Sequence, residues 1–202
     1  MRITHGNTVL RSLEEEDLEL VRNWRNDQLV NEHLLNREYI SQEAQLEWFG
    51  SLVSEESLYL VAEEKGVPFG LIYATDINQE EGSYWGNIIV GESEFRNSHL
   101  PVKTVLMLMW YFFHELNFES CHSKVASANT SAVQLNMALG FELVSEADGI
   151  RIEQCCKAAF ITTGMRLIEK VLRNEAPAVE YLNDQDKRFL LTRRIIKCLF
   201  RH

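Results

Sequence analysis

Asn129-Thr130-Ser131-Ala132-Val133-Gln134-Leu135-Asn136-Met137-Ala138-Leu139-Gly140-Phe141 spells out a helix with both of its ends. Asn, Thr and Ser are N-cap formers, because their side-chain oxygens accept from the first N–H groups that lack an intrahelical partner. Gly140 follows the last apolar residue and is the usual C-terminal stop, since glycine takes the left-handed conformation without a Cβ penalty. A helix is therefore predicted over Ser131 to Leu139. His122 to Ala126 before it and Phe141 to Val144 after it have strand character, which makes a strand–helix–strand unit.

Working outward, Pro101 suits the first position of a helix running to about Leu116. Its residues Val102, Val105, Leu106, Leu108, Met109, Trp110, Phe112 and Phe113 leave little polar surface, so this helix is predicted to be buried. Residues 91–100 read as a polar loop. Leu58 to Ala62 and Phe69 to Ala74 form a hairpin around Lys65-Gly66, and Tyr84 to Val90 follows the turn Gln79-Glu80-Glu81-Gly82 as a third strand. At the start, Ser12-Leu13-Glu14-Glu15 has the capping-box form, with Leu18, Val21 and Trp24 at helical spacing behind it. Asn26-Asp27 breaks that helix, a short one is expected through Val30 and Leu34, and Ser41 caps another. Downstream, Ala159 to Met165 is predicted as a strand beyond a polar excursion, and Arg166 to Arg173 as a helix stopped by Pro177. The order gives an α/β class: one mixed, mostly antiparallel sheet with helices on both faces, and a helical C-terminal extension.

Two hundred and two residues at 46% hydrophobic and 25% charged fit one globular domain with an appendage. The longest apolar stretch, Thr104 to Phe113, is about half of a membrane span. Met1-Arg2-Ile3-Thr4-His5 has no apolar signal core, so a cytoplasmic location is expected. Net charge is −10, and residues 187–202 hold six basic and no acidic side chains, which leaves −16 on the first 186. An acidic body argues against nonspecific nucleic-acid binding, which depends on phosphate neutralisation. It does not forbid a nucleotide held at one local site. Cys121, Cys155, Cys156 and Cys198 lack metal-ligand spacing, so no metal is expected and reduced thiols are the simpler reading.

Residues 129–141 resemble the Asn-x-x-Ala…Gly-Phe segment of the GNAT N-acetyltransferase superfamily. Leu10-Arg11-Ser12-Leu13-Glu14-Glu15-Glu16-Asp17-Leu18 with Trp24-Arg25-Asn26-Asp27 is similar to the opening of two branches of it. One acetylates ribosomal-protein N-termini; the other acetylates the 4-amino group of a UDP-linked deoxy-sugar in pseudaminic acid biosynthesis. Ile40-Ser41 with Trp48-Phe49, and Thr75-Asp76-Ile77 before Trp85-Gly86, look more like the sugar branch. The resemblance implies an acetyltransferase domain over 1–165 and an extension over 166–202. It also implies acetyl-CoA as co-substrate and a primary amine as acceptor.

The same resemblance assigns residues. Backbone groups of Ile88, Ile89 and Val90 would pair with the pantetheine amides, and Asn129 would contact the cofactor or simply cap its helix. The family's Gln/Arg-x-x-Gly-x-Gly/Ala pyrophosphate motif falls on Arg96-Asn97-Ser98-His99-Leu100-Pro101. Arg96 is kept, but His99 and Pro101 replace the small residues, leaving N–H donors at Ser98, Leu100, Val102 and Lys103 and positive charge on His99 or Lys103. A helix N-terminus binds anions through such donors. Asn136 stands where the family often has tyrosine to protonate the leaving thiolate. Asn is no acid, but it could hydrogen-bond the sulfur or order a water.

On the acceptor side, Arg25 could reach an anionic substrate or pair with Asp27 or a loop carbonyl. His33 is a candidate base or a solvent-facing histidine. Tyr84 and Trp85 alternate in direction, with Tyr84 expected toward the acceptor and Trp85 as a further substrate contact. Glu92 and Glu94 could accept a proton through water. The expected function is transfer of acetyl to a small amine, a nucleotide-linked amino sugar. Peptide or protein N-termini are one alternative, and a catalytically inactive binding protein of the same fold is another. The amphipathic basic segment 187–202 is expected to dock on the acidic body or on a second subunit of a homodimer; an anionic membrane surface or a partner's groove are the alternatives.

Overall fold

Tight two-residue turns build most of the sheet. The computed structural model describes residues 1–52, 56–173, 175–182 and 186. β1 (Arg2–His5) and β2 (Thr8–Ser12) close around Gly6-Asn7, with Gly6 at φ +58. β3 (Leu58–Glu64) and β4 (Val67–Asn78) close around Lys65 (φ 53) and Gly66 (φ 79), as the sequence predicts. Positive φ at a hairpin's central residues matches the strands' right-handed twist. β5 (Ser83–Val90) continues this antiparallel run. β6 (Ser120–Ala126) joins β5 in parallel, and β8 (Ile150–Cys156) pairs antiparallel with β6. β7 (Glu142–Ala147) forms a hairpin with β8, and β9 (Ala178–Glu180) borders β1. The strand order is β7-β8-β6-β5-β4-β3-β2-β1-β9.

Each face of this sheet carries its own core. On one side lie α1 (Leu18–Asn26), α2 (Gln28–Asn31) and α3 (Gln42–Gly50). Val21, Trp24 and Val30 pack there on Val61, Leu71 and Ile89. On the other lie α5 (Leu100–Trp110) with a π-turn at Tyr111–Glu115, α6 (Thr130–Leu139) and α7 (Lys157–Thr163). Leu106, Met107, Phe112, Phe113 and Phe160 fill that larger core. Two further short helices are α4 (Ser93–Arg96) and α8 (Met165–Leu167), the latter running into a π-turn at Ile168–Leu172. No helix of the described residues is long and apolar enough to cross a membrane.

Several local expectations are corrected. Ser12 does not cap a helix: its N–H bonds the Met1 carbonyl at 3.0 Å and it ends β2. The cap moves to Glu14, whose N–H bonds Asp17 Oδ2 at 2.9 Å in a reciprocal capping box. Ala159 to Met165 is helix rather than strand, because the polar excursion before it is itself β8 and fills that place in the sheet. Asp148 (φ 52) and Gly149 (φ 73) make the hairpin turn that creates β8. The polar loop 91–100 contains α4. Beyond residue 165, Ile168 and Leu172 are buried in the main core and β9 joins the sheet, so this part of the expected extension is built into the body. The basic segment 187–202 lies outside the described residues.

Two contacts set the position of α1. Arg11 bonds Asp17 through Nη1 at 2.6 Å and Nη2 at 2.7 Å, and its Nε bonds Glu63 at 2.7 Å. Trp24 lies across the start of the loop after β5: a Cβ on Gly91 would come within 2.1 Å of its ring. The indole N–H donates to Glu92 Oε1 at 2.8 Å.

Gly91→Ala is expected to displace Trp24 and destabilise the fold by about 1–3 kcal/mol, read as a lowered urea midpoint. Burial alone would push the Asp17 carboxyl up, but hydrogen bonds from Arg11 and the Glu14 N–H hold it below its ordinary value. Such a carboxylate adds stability that is full above the unfolded-chain pKa of about 3.9 and is lost as pH falls through the lower folded value. Asp17→Asn should therefore be less stable at neutral pH and lose less of its urea midpoint between about pH 6 and about pH 3.

Candidate active site

The site begins where β5 and β6 part. They pair only at Ser83↔Ser120, Tyr84↔Cys121 and Trp85↔His122. Beyond that point β5 stays on β4 as far as Val90, and β6 stays on β8 as far as Ala126. The facing backbone edges of the two strands are left without each other. A cavity of about 350 Å³ runs through this gap and takes side chains from both faces of the sheet. Arg25, His33, Asn36, Tyr73 and Asn87 line it on the α1 side, and Leu108, Met109, Asn129, Leu135 and Asn136 on the α5–α6 side.

An extended ligand carrying amides can continue the ladder along the open edge of Asn87, Ile88 and Ile89. Val90 is less available, because its carbonyl accepts Arg96 Nε at 3.2 Å. Arg96 also donates from Nη2 to the Gly91 carbonyl at 2.8 Å and lies 3.6 Å from Asp27, so it braces the loop. Asn97 and His99 are exposed. Ser98 Oγ accepts the Leu100 N–H at 3.2 Å and donates to the Phe95 carbonyl at 2.7 Å. Pro101 has no N–H, and the Lys103 N–H goes to the His99 carbonyl at 3.0 Å. Among the described residues, Val102 therefore offers the first-turn N–H that no neighbour claims. Lys103 is buried with Nζ on the His5 carbonyl at 2.9 Å, turned away from the loop, and burial lowers its pKa.

Asn129 caps α6 by accepting the Ala132 N–H at 3.2 Å, and it also lines the cavity. Asn136 is held from two sides: its Nδ2 donates to Glu153 Oε2 at 2.8 Å and to Ser123 Oγ at 3.1 Å. Both amide hydrogens are thereby used. Glu153 is buried and receives Arg151 Nε at 2.7 Å on its other oxygen.

Tyr84 lines the cavity, but from the α5 side rather than the expected acceptor side. It is 0% exposed and stacks on Phe112 at 3.9 Å between ring centroids. Strand alternation puts Tyr84, Ile88 and Val90 toward α5 and Ile89 toward α1, so Trp85 and Asn87 share the α1 side. The Tyr84 hydroxyl is buried beside the Cys121 thiol, and burial raises its pKa well above the ordinary value. Trp85 meets His122 in a tilted ring contact, 5.2 Å between centroids, and lies outside the cavity lining. His33 is exposed at the cavity mouth, 3.6 Å from Glu32. Arg25 makes no pair with Asp27, whose Oδ1 accepts the Val30 N–H at 3.2 Å instead. Its Nε is buried and meets no acceptor among the described residues. Burial raises the Tyr73 hydroxyl pKa, and the Arg25 charge opposes that rise. Glu92 is occupied by Trp24, and Glu94 is exposed.

Parted central strands around a through-cavity, followed by a loop and helix N-terminus, form an acyl-CoA site in outline. Residues 10–153 match the family model described as "Acetyltransferase (GNAT) domain". The chain belongs to the GNAT acetyltransferase family. This GNAT enzyme is an acetyl-CoA-dependent N-acetyltransferase. It is 26% identical over 143 residues to the SPbeta prophage-derived uncharacterized N-acetyltransferase YokL of Bacillus subtilis (strain 168), covering 68% of this chain and 77% of that protein. Its fold resembles the spermidine N-acetyltransferase of Vibrio cholerae, solved with CoA and spermine. There the TM-score is 0.68 at 21% identity, over 77% of this chain and 99% of that one. A domain from Methanocaldococcus jannaschii gives TM-score 0.64 at 17% identity, over 74% of this chain and 97% of that one.

Sequence reasoning missed Asn36, Tyr73, Asn87, Ser123 and Glu153. Asn87 was within reach by counting two residues from Trp85. Ser123 and Glu153 could be found only once β6 and β8 were known to be neighbours. Since Tyr84 is a core residue whose hydroxyl gains little, Tyr84→Phe should keep the acetylation rate within about twofold and stability within about 1 kcal/mol. A thiol-release assay and urea unfolding check both.

Proposed function

We propose that this acetyltransferase acts on a small primary amine carrying an anionic group. The nucleotide-linked amino sugar that the Trp24-Arg25-Asn26-Asp27 opening resembles is the leading acceptor. One observation carries this reading: Arg25 lines the cavity with a buried, unpartnered Nε. A guanidinium is always charged, and its planar fork suits phosphate or carboxylate. An unmet buried donor is costly, and a ligand oxygen would relieve that cost.

The cavity's other charged side chain agrees. Lys124 lines it, and no Asp or Glu does among the described residues. A polyamine would meet like charge here, so the spermidine and spermine named for the structural relatives are poor candidates. In this reading Arg25 holds the anionic group and Asn87 lies near the amine. His33 takes the amine proton through water, which leaves the nitrogen neutral for attack. A peptide or protein N-terminus is the second reading, favoured by the chain's net charge of −10.

The test is thiol release from acetyl-CoA with a UDP-linked 4-amino-sugar, its nucleotide-free amine, an N-terminal peptide and spermidine as acceptors. The nucleotide sugar should be preferred. Arg25→Gln should raise its KM about 10- to 100-fold, the worth of a hydrogen bond to a charged group, and leave the nucleotide-free amine unchanged. Spermidine or the peptide as best acceptor, with Arg25→Gln indifferent, would contradict this reading.

A further inference from the structure

The cavity holds a hydroxyl whose proton meets no acceptor among the described residues. Ser123 sits on β6 one residue past the last β5 pair, at the point where the strands open, and it lines the cavity. Its Oγ accepts from Asn136 Nδ2 at 3.1 Å. No described residue accepts from the Ser123 hydroxyl in return.

Buried Glu153 sets the direction of this bond. An ionised carboxylate only accepts, so the Asn136 atom 2.8 Å from Glu153 Oε2 must be the NH₂ nitrogen. The same nitrogen faces Ser123, so the serine oxygen is the acceptor there and its O–H must turn elsewhere. Arg151 fixes Glu153 in turn, with Nε at 2.7 Å from Oε1 and Nη1 at 3.2 Å from Glu146. Asn136 therefore has no hydrogen left for a ligand sulfur. Ser123 has one, and the open side of its oxygen is the cavity.

We propose that the Ser123 hydroxyl is the hydrogen-bond donor to the departing sulfur of acetyl-CoA, with Asn136 and Glu153 as positioning residues. As the acceptor amine adds to the thioester carbonyl, the C–N bond forms and the C–S bond breaks. The electron pair of the C–S bond goes to sulfur, and the amine's proton leaves to water. Ser123 keeps its own proton and shares it with the thiolate, stabilising charge that is absent from the intact thioester. This chain thereby meets the need for a donor at the sulfur without an acid at position 136. The proposal rests on the family's use of acetyl-CoA and is independent of the acceptor proposed above.

The test uses the whole protein and no acceptor. CoA and desulfo-CoA are titrated calorimetrically from about pH 6.5 to about pH 9.5, around the free thiol pKa of about 8.5. A donor at the sulfur lowers the bound thiol's pKa by about one unit, so CoA affinity should rise about tenfold with pH relative to desulfo-CoA. Ser123→Ala should abolish that rise while binding desulfo-CoA as wild type does, and Ser123→Thr should retain it. Asn136→Leu should shrink the rise, since the serine proton is then no longer directed. Parallel pH dependence of the two ligands in wild type, no CoA binding, or an undiminished rise in either Ser123→Ala or Asn136→Leu would overturn the proposal.

Discussion

The parallel ladder between β5 and β6 ends after Trp85↔His122, and the site depends on that early end. Neither strand frays there, because each remains paired on its far side, β5 with β4 and β6 with β8. The opening is therefore a rigid feature of the sheet. Backbone groups along its edges lose strand partners in the middle of a nine-stranded sheet. A buried amide without a partner is costly, and a ligand with amides of its own can supply what is missing.

The two ends of the opening differ chemically. At the loop before α5, the anion-binding capacity of a helix N-terminus is largely consumed: Ser98 takes the Leu100 N–H, Pro101 has none and Arg96 is spent on carbonyls. Among the described residues, the His99 and Val102 N–H groups remain there for a pyrophosphate. On the α1 side Arg25 stands uncommitted. The geometry thus shifts unpaired positive charge from the cofactor end toward the acceptor end. Between the two ends, buried Glu153 and Asn136 fix the polarity of the Ser123 hydroxyl at the strand divergence.

Much of the architecture was legible in the sequence where a signal is local. Gly140 stops α6 at φ +94 as its position predicts, and Ser41 caps α3 by accepting the Ala44 N–H at 3.2 Å. The hairpin at Lys65-Gly66 and the buried α5 were equally readable. The failures came where pairing with distant segments overrides local preference. Ser12 has cap chemistry but spends its N–H on Met1 as the end of a strand. Of the Asp148-Gly149 hairpin, β7 is legible from its apolar start Phe141 to Val144, but β8 is too polar to read as a strand, since Arg151, Glu153 and Gln154 interrupt its apolar residues. At the site, alternation told that Tyr84 and Trp85 point opposite ways, but only the packing of α5 decided which entered the core. Arg25 could be named as a candidate; its lack of a partner could not be read without the fold.

The proposed seat of the pantetheine arm of acetyl-CoA is the pair of parted strand edges. Amide hydrogen exchange, followed as acetyl-CoA is added to the folded protein, tests it most directly. Slowed exchange over 87–89 and 123–126, with 2–12 at the other end of the sheet unchanged, is the predicted result. No binding up to millimolar acetyl-CoA, or protection that leaves both parted edges unchanged, would contradict the account.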